Sequence, residues 1–333
     1  MGDILHFEFD PNDHSENAIS AAWTEFVSGV HTAAPLDIPG RICSSRANSW
    51  FVGELNFTHL FFNAQTMVCA SAETPGVVPR PYLFAWLFKQ GGSHIWHHGE
   101  MLQGGPDAFY LFDHARELHS VACDSEVMSL MIPHAAVGYD PQRHPSKLVF
   151  DLGSQHGARL REGLETAIKQ LPEMTSDQAS ALVRQHTALY TDILERDAET
   201  PAVAVGEGDP IGEFIDENLF NPSFQIETAL DRFQISRARL HQSLDTRTSF
   251  SAYARARRLD YAFRSLAFGE KSATRIADIA AYCDYPTLSQ FSVAFADRFG
   301  FEPRSALGVL DAPAPISSEH PRPKLWDAWY RGP

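Results

Sequence analysis

The chain has 333 residues, 44% of them apolar and 21% charged, with a formal net charge of −15. That length favours two domains with sizeable cores, and the composition is globular rather than fibrous or disordered. The densest apolar run, Tyr82 to Phe88, is seven residues, far short of the ~20 that a membrane span needs. Met1 to Asp10 also has neither the basic region nor the apolar stretch of a secretory leader, so the expected location is the cytoplasm, with no membrane partner.

The four cysteines, Cys43, Cys69, Cys123 and Cys283, form no C-x-x-C pair. Neither a zinc knuckle nor a disulfide framework is signalled, and reduced thiols are expected. The acidity is unevenly spread. Between Pro222 and Leu310 there are 12 Lys and Arg against 9 Asp and Glu, a net of +3, which leaves −18 for the rest. An acidic body with a mildly basic C-terminal block suits a sensor domain fused to a nucleic-acid module.

In chain order, Ala18 to Val30 has the apolar period of a helix. From Ile42 to Pro133 short runs of β-formers alternate with turns: Trp50 to Phe62, Thr66 to Ala72, Tyr82 to Gln90, His94 to His98, Ala108 to Phe112 and Val127 to Ile132. Gly91-Gly92, Gly104-Gly105-Pro106 and Pro79-Arg80-Pro81 punctuate them. Such spacing predicts a small barrel or sandwich. In Tyr82 to Phe88 both strand faces are apolar, so both are expected to be buried, and in a barrel one of them can line a cavity.

After Pro145 the period becomes helical. Ala158 to Leu171 carries the stripe Leu160, Leu164, Ala167, Ile168 and Leu171; Ser176 to Glu195 carries Leu182, His186, Leu189, Ile193 and Leu194. Exposed stripes of this kind mark association surfaces, so these helices are expected to form a homodimer contact. The segment Asp197 to Pro210 reads as a linker. Beyond it, seven helices are predicted between Ile211 and Leu310, with Ser236, Ser249, Ser272 or Thr274, and Thr287 as caps and Gly300 as a stop. Residues 311–333, rich in proline, read as an extended tail.

Two of the predicted helix pairs repeat one plan: a short helix, a tight turn and a second helix, the first pair around Gln234 and Ser236, the second around Asp284 and Thr287. Each is a helix-turn-helix whose second helix can enter the major groove. The joining helix of roughly 20 residues is about 30 Å long, close to one turn of B-DNA, ~34 Å. The candidate DNA contacts are Arg237, Arg239, His241 and Gln242 in the first unit, and Thr287, Ser289, Gln290 and Ser292 in the second, where hydroxyls and an amide can meet base edges.

The segment "FQIETALDRFQISRARLHQSL", with Ser236-x-x-x-Leu240, Arg258-Leu259-x-x-Ala262, Ile279-Ala280, Phe291-x-x-x-Phe295 and Phe299-Gly300-x-x-Pro303 in order, resembles the DNA-binding domain of the AraC/XylS transcription regulators over about 100 residues. Tyr82 to His134 and the two helices after it resemble that family's cupin-type effector domain. The resemblance implies an α+β protein: a cupin-like β-barrel with two following helices over residues 1–196, a linker at 197–210, an all-α double helix-turn-helix domain at 211–310 and the tail. It implies promoter DNA, a small-molecule effector, a second copy of the chain and RNA polymerase as partners, and transcriptional activation as the outcome. Both turns usually carry glycine in this family; here they carry Gln234 and Asp284, at a cost of about 1 kcal/mol each if their φ is positive. An arginine usually stands where Val293 is, and basic residues at Ala296 and Asp297, so the second unit is expected to grip phosphate weakly. Arg258 and Asp278 are read as structural charges.

In the barrel, Tyr82, Phe84, Trp86, Phe88 and Trp96 supply an aromatic surface, with Arg80 and His94 at strand ends. The expected guest is an aromatic or aliphatic metabolite with a polar or anionic group; the competing reading is that these rings simply fill the barrel. His94, His97, His98, Glu100, His114 and His119 invite a metal reading, but the H-x-H pattern is absent and the adjacent His97 and His98 point to opposite strand faces. No metal, no cofactor and no catalytic constellation is expected. A metal-dependent cupin enzyme, and a degenerate regulator acting through protein contacts, are the alternative readings.

Overall fold

The structure is a computed structural model, and it describes residues 4–28, 30–36, 42–69, 81–97, 100–199, 210–221, 224–237, 239–240, 250–267 and 273–308. The chain divides into two compact units that part near residue 204. The linker segment 200–209 and the tail 311–333 lie outside the described residues.

The first unit is built on two antiparallel sheets. The larger has the order β1 (Ile4–Phe9), β3 (Arg46–Val52), β4 (Leu55–Phe62), β11 (Ser125–Pro133), β6 (Tyr82–Gln90), β9 (Ala108–Asp113) and β12 (Lys147–Asp151). The smaller has the order β2 (Thr32–Pro35), β5 (Gln65–Cys69), β10 (Leu118–Ala122), β7 (Ser93–His97) and β8 (Glu100–Gly104). The expected barrel is thus two facing sheets rather than a closed ring. The predicted run Trp50 to Phe62 is a hairpin: Val52 pairs with Leu55 across a two-residue turn that Gly53 enters at φ +58°. Gly91, at φ +81°, turns β6 into β7, and a Cβ there would lie 2.3 Å from the Asp124 carbonyl oxygen.

Strand alternation sorts the large sheet into two cores. Phe84, Trp86 and Phe88 of β6, with Phe112, Phe51 and Met131, face the small sheet and meet Ile95, Met67, Leu118 and Ala122. Leu83, Ala85 and Leu87 face the other way, with Phe57, Leu111 and Leu130. Two helices cover that outer face, α3 (Gln155–Gln170) and α4 (Ser176–Glu199). Leu160, Leu164, Ala167, Ile168 and Leu171 of the first stripe, and Leu182, Ile193 and Leu194 of the second, belong to this core. His186 sits in it at 2% exposure, its Nδ1 3.1 Å from the Leu182 carbonyl oxygen and its ring edge-on to Phe57; burial pulls its imidazole below the ordinary value. The expectation that these stripes are exposed dimer surfaces is therefore corrected. A sheet that is apolar on both faces needs a cover on its outer face, and the helical stripes are that cover. Two short helices, α1 (Ile19–Val27) and α2 (His134–Val137), complete the unit.

The second unit is helical. It comprises α5 (Pro210–Glu217), α6 (Ile226–Phe233), a helical start at Arg237, α7 (Phe250–Ala267), α8 (Ala273–Tyr282), α9 (Leu288–Phe299) and a 3-10 turn at Pro303–Ala306. Ile215 and Leu240, with Phe224, Leu230 and Phe250 around them, form the core of its first half. In its second half Phe291, Phe295 and Phe299, at i, i+4 spacing on one side of α9, pack among themselves and on Phe263 and Phe301. Gly300 closes α9 at φ +79°, its N–H on the Ala296 carbonyl, as its place in the sequence predicts.

Candidate nucleic-acid interface and inter-sheet chamber

Both tight turns adopt the conformation that glycine usually supplies. Gln234 ends α6 at φ +52°, and Asp284 follows α8 at φ +64°. Each non-glycine residue carries a local tie: Gln234 Nε2 donates to the Asp231 carbonyl at 2.7 Å, and Asp284 Oδ2 accepts from Arg258 Nη1 at 3.3 Å. After each turn a hydroxyl starts the second helix. Ser236 Oγ accepts from Arg239 N at 3.2 Å, and Thr287 Oγ1 from Gln290 N at 3.2 Å. The same plan, helix, left-handed residue, capped helix, thus occurs twice, joined by the 18 residues of α7, about 27 Å at 1.5 Å per residue.

In the first unit Arg237 and Arg239 are exposed, and Arg237 Nη2 is paired with Glu227 Oε1. His241 and Gln242 lie outside the described residues. In the second unit Ser289 and Gln290 are exposed and Ser292 is half-buried. Thr287 is exposed as well, but its oxygen is committed to the cap, so its part in base reading is reduced to that of its own O–H. Arg258 is tied within the protein, its Nε donating to the Leu219 carbonyl at 3.0 Å. Asp278, expected as a buried structural charge, is exposed on α8 instead. The buried acid is Asp260 on α7, held by Arg298 of α9 at 2.6 Å. Its i, i+3 partner Arg257 is visible in the sequence; the link to Arg298, 38 residues on, is not. Next to this joint, burial pushes the Cys283 thiol up to about 12, against the opposing charge of Arg258.

Between the two sheets of the first unit, Phe84, Trp86 and Phe88 form the wall that the sequence predicts. With His31, Ser93 and Ser129 they border a cavity of ≈ 30 Å³, room for about one water. Rings pack edge-on along this wall, Trp86 against both Phe84 and Phe112 at 5.2 Å. His94 and Trp96 are not part of it. On β7 the residues facing inward are Ser93, Ile95 and His97, and the period of two sends His94 and Trp96 to the outer face of the small sheet. Arg80 lies outside the described residues. Sequence reasoning missed His31 and Ser129, which come from elements far apart along the chain.

One further polar cluster closes an end of the sandwich. The Asp113 carboxylate, 1% exposed, lies 3.1 Å from His134 Nε2 and 3.6 Å from Arg116 Nε, and accepts from the Ala115 N–H at 3.0 Å. Burial alone would raise its pKa; the contacts to His134, Ala115 and Arg116 outweigh that and hold it below the usual value of 3.8. Among the described residues no group of three or more His, Cys, Asp or Glu is placed to share a metal ion. His98 lies outside those residues, and nothing is described of the Glu100 side chain.

A β-sandwich with a helical cover is followed by two helix-turn-helix units joined by one helix, the architecture of a helix-turn-helix module behind a separate N-terminal domain. Residues 230–307 match the family model described as "Helix-turn-helix domain". The AraC-like transcriptional activator CuxR is similar in structure, at 18% identity over 78% of this chain and 95% of its own, with a TM-score of 0.50. ToxT from Vibrio cholerae is more distant, at 12% identity, 75% of this chain and 99% of its own, with a TM-score of 0.33. KdgF from Halomonas sp. aligns with 30% of this chain and 93% of its own, at 18% identity and a TM-score of 0.22. No curated protein sequence matches the chain. Residues 230–307 thus carry a helix-turn-helix domain, and the fold of the chain is similar to that of an AraC-like activator.

Proposed function

We propose that the protein binds promoter DNA through both helix-turn-helix units, under the control of a small apolar effector held between the two sheets of its N-terminal domain. The observation that carries the DNA reading is the twofold occurrence of a left-handed residue, Gln234 or Asp284, before a helix capped by Ser236 or Thr287. Arg237 and Arg239 supply charge for phosphate in the first unit, with His241 and Gln242 as its base-reading residues. Ser289, Gln290 and Ser292 read base edges in the second.

The effector reading rests on the aromatic wall of Phe84, Trp86 and Phe88. At ≈ 30 Å³ the chamber is far below the ~300 Å³ of a typical small-ligand site. Binding therefore requires the rings to part, and a ligand that favours the parted state shifts the domain toward it. An aromatic or aliphatic guest suits these walls. The protein acts by binding rather than catalysis, in the cytoplasm and as a homodimer. A groove of ≈ 710 Å³ between α3 and α4, bordered by Arg159, Glu162, Gln185 and Asp192 and lined also by the half-buried Leu189, supports the dimer reading. Contact with RNA polymerase, and activation, follow from the family resemblance.

A screen of genomic fragments against the full chain, with and without candidate metabolites, tests this reading. A small set of fragments should be retained, and a metabolite that alters retention should also quench or enhance tryptophan emission. Arg239→Ala should weaken binding to every fragment, whereas His241→Ala and Gln242→Ala should change which fragments are preferred. A triple variant that retains the wild-type set would overturn the assignment of the first unit.

A further inference from the structure

Helix α9 buries Phe291, Phe295 and Phe299. At 100° per residue the opposite side is centred on Val293, with Ser289 and Gln290 one turn before it and Ala296 and Asp297 one turn after. Val293 is 59% exposed, more than any other large apolar side chain among the described residues. Leu288, at the end of the helix that enters a groove, is 48% exposed. No local need explains a valine there: β-branching makes it a mediocre helix former, and its isopropyl group contacts water. The sole basic residue of α9, Arg298, is taken up by Asp260, and Asp297 adds negative charge to the outward side. This helix therefore has methyl groups, hydroxyls and one amide to offer DNA, and no cation with which to hold a phosphate.

In the major groove the one apolar group presented by a base pair is the C5-methyl of thymine. We propose that Val293 is a specificity-determining residue of the second unit, packing its isopropyl group on a thymine 5-methyl, with Ser289 and Gln290 engaging the neighbouring base edges. This inference rests on the DNA-binding reading above. It turns the loss of positive charge on α9 into a change in what is read. The first unit supplies most of the salt-dependent affinity, and the second discriminates by shape and a methyl contact.

Duplexes enriched from a random library by the full-length protein provide the probe. Each thymine of an enriched duplex is replaced in turn by deoxyuridine, which deletes the methyl and leaves the base pairing intact. At one thymine, wild-type binding should weaken about fourfold, the ~0.8 kcal/mol of one buried methyl. Val293→Ala should bind the parent duplex at that weakened level and show no further loss with deoxyuridine. Because Val293 is exposed, the variant should melt within about 0.5 kcal/mol of wild type. An enriched duplex whose deoxyuridine forms all bind like the parent, or a Val293→Ala variant that keeps the same penalty, overturns the inference and leaves DNA binding standing. The second of these results would give the exposed valine to a protein partner instead. Failure to enrich any duplex removes the DNA-binding reading and this inference together.

Discussion

Arg298 on α9 donates its Nε and Nη2 to the buried carboxylate of Asp260 on α7, at 2.7 and 2.6 Å. Asp260 is 5% exposed, so the pair fixes the second recognition helix to the connecting helix through a contact that water hardly reaches. Removing Arg298 leaves the buried carboxylate with the longer contact to Arg257 Nη1, at 3.8 Å, as its cationic partner. Arg298→Leu should destabilise the second unit by about 3 kcal/mol, and the Asp260→Leu/Arg298→Leu double variant should recover much of that loss. Urea unfolding followed by a probe in the second unit checks both; equal losses in the single and double variants would contradict the account.

The left-handed turns make a prediction of opposite sign. Gln234→Gly should stabilise the second unit by about 1 kcal/mol, since a side chain at φ +52° is strained. Gln234→Ala keeps the strain and loses the hydrogen bond to Asp231, so it should not stabilise. Asp284→Gly should gain a similar amount, because the contact it gives up to Arg258 involves a carboxylate that is 83% exposed and is therefore worth little. Denaturant midpoints of the three variants decide the point.

Leu182 lies in the core between α4 and the large sheet. Leu182→Ala should cost about 2–5 kcal/mol in stability of the first unit, and Leu182→Asp should unfold it rather than dissociate a folded dimer. Circular dichroism beside sedimentation distinguishes the two; a folded monomer from Leu182→Asp would restore the stripe as an interface.

Asp113 sets a pH dependence. Its folded-state pKa is held below the ordinary 3.8 by His134, the Ala115 N–H and Arg116 acting against burial. The stabilisation it contributes is complete above the unfolded value and is lost as pH falls through the lower folded one. Thermal midpoints of the first unit should therefore drop below about pH 4, and Asp113→Asn should be less stable at neutral pH with a flatter acid limb. An unchanged acid limb in that variant would assign the pH dependence elsewhere.

Much of this protein was legible along the chain. The i, i+4 phenylalanines of α9, the caps at Ser236 and Thr287 and the stop at Gly300 are local features, decided by which side chain lies within a turn of which backbone group. The positive φ of Gln234 and Asp284 was likewise foreseeable, because a helix-turn-helix bend needs a left-handed residue whatever side chain occupies it. The two-sided burial of β6 followed from alternation alone.

Other features depend on pairings between distant segments, to which periodicity is blind. A leucine stripe states that a helix face must be covered; it does not say by what, and the outer face of the large sheet, with Leu83, Ala85 and Leu87, took the place of a second subunit. The aromatic residues of 82–97 could all be read as one chamber, but the turn at Gly91 carries the chain from the large sheet to the small one. There the phase of the pleat decides: Ser93 faces inward, and His94 and Trp96 do not. That Asp260, and not the expected Asp278, is the buried acid was settled in the same way. Both lie in helices of similar pattern, and only the packing of α7 on α9 brings a guanidinium to one of them.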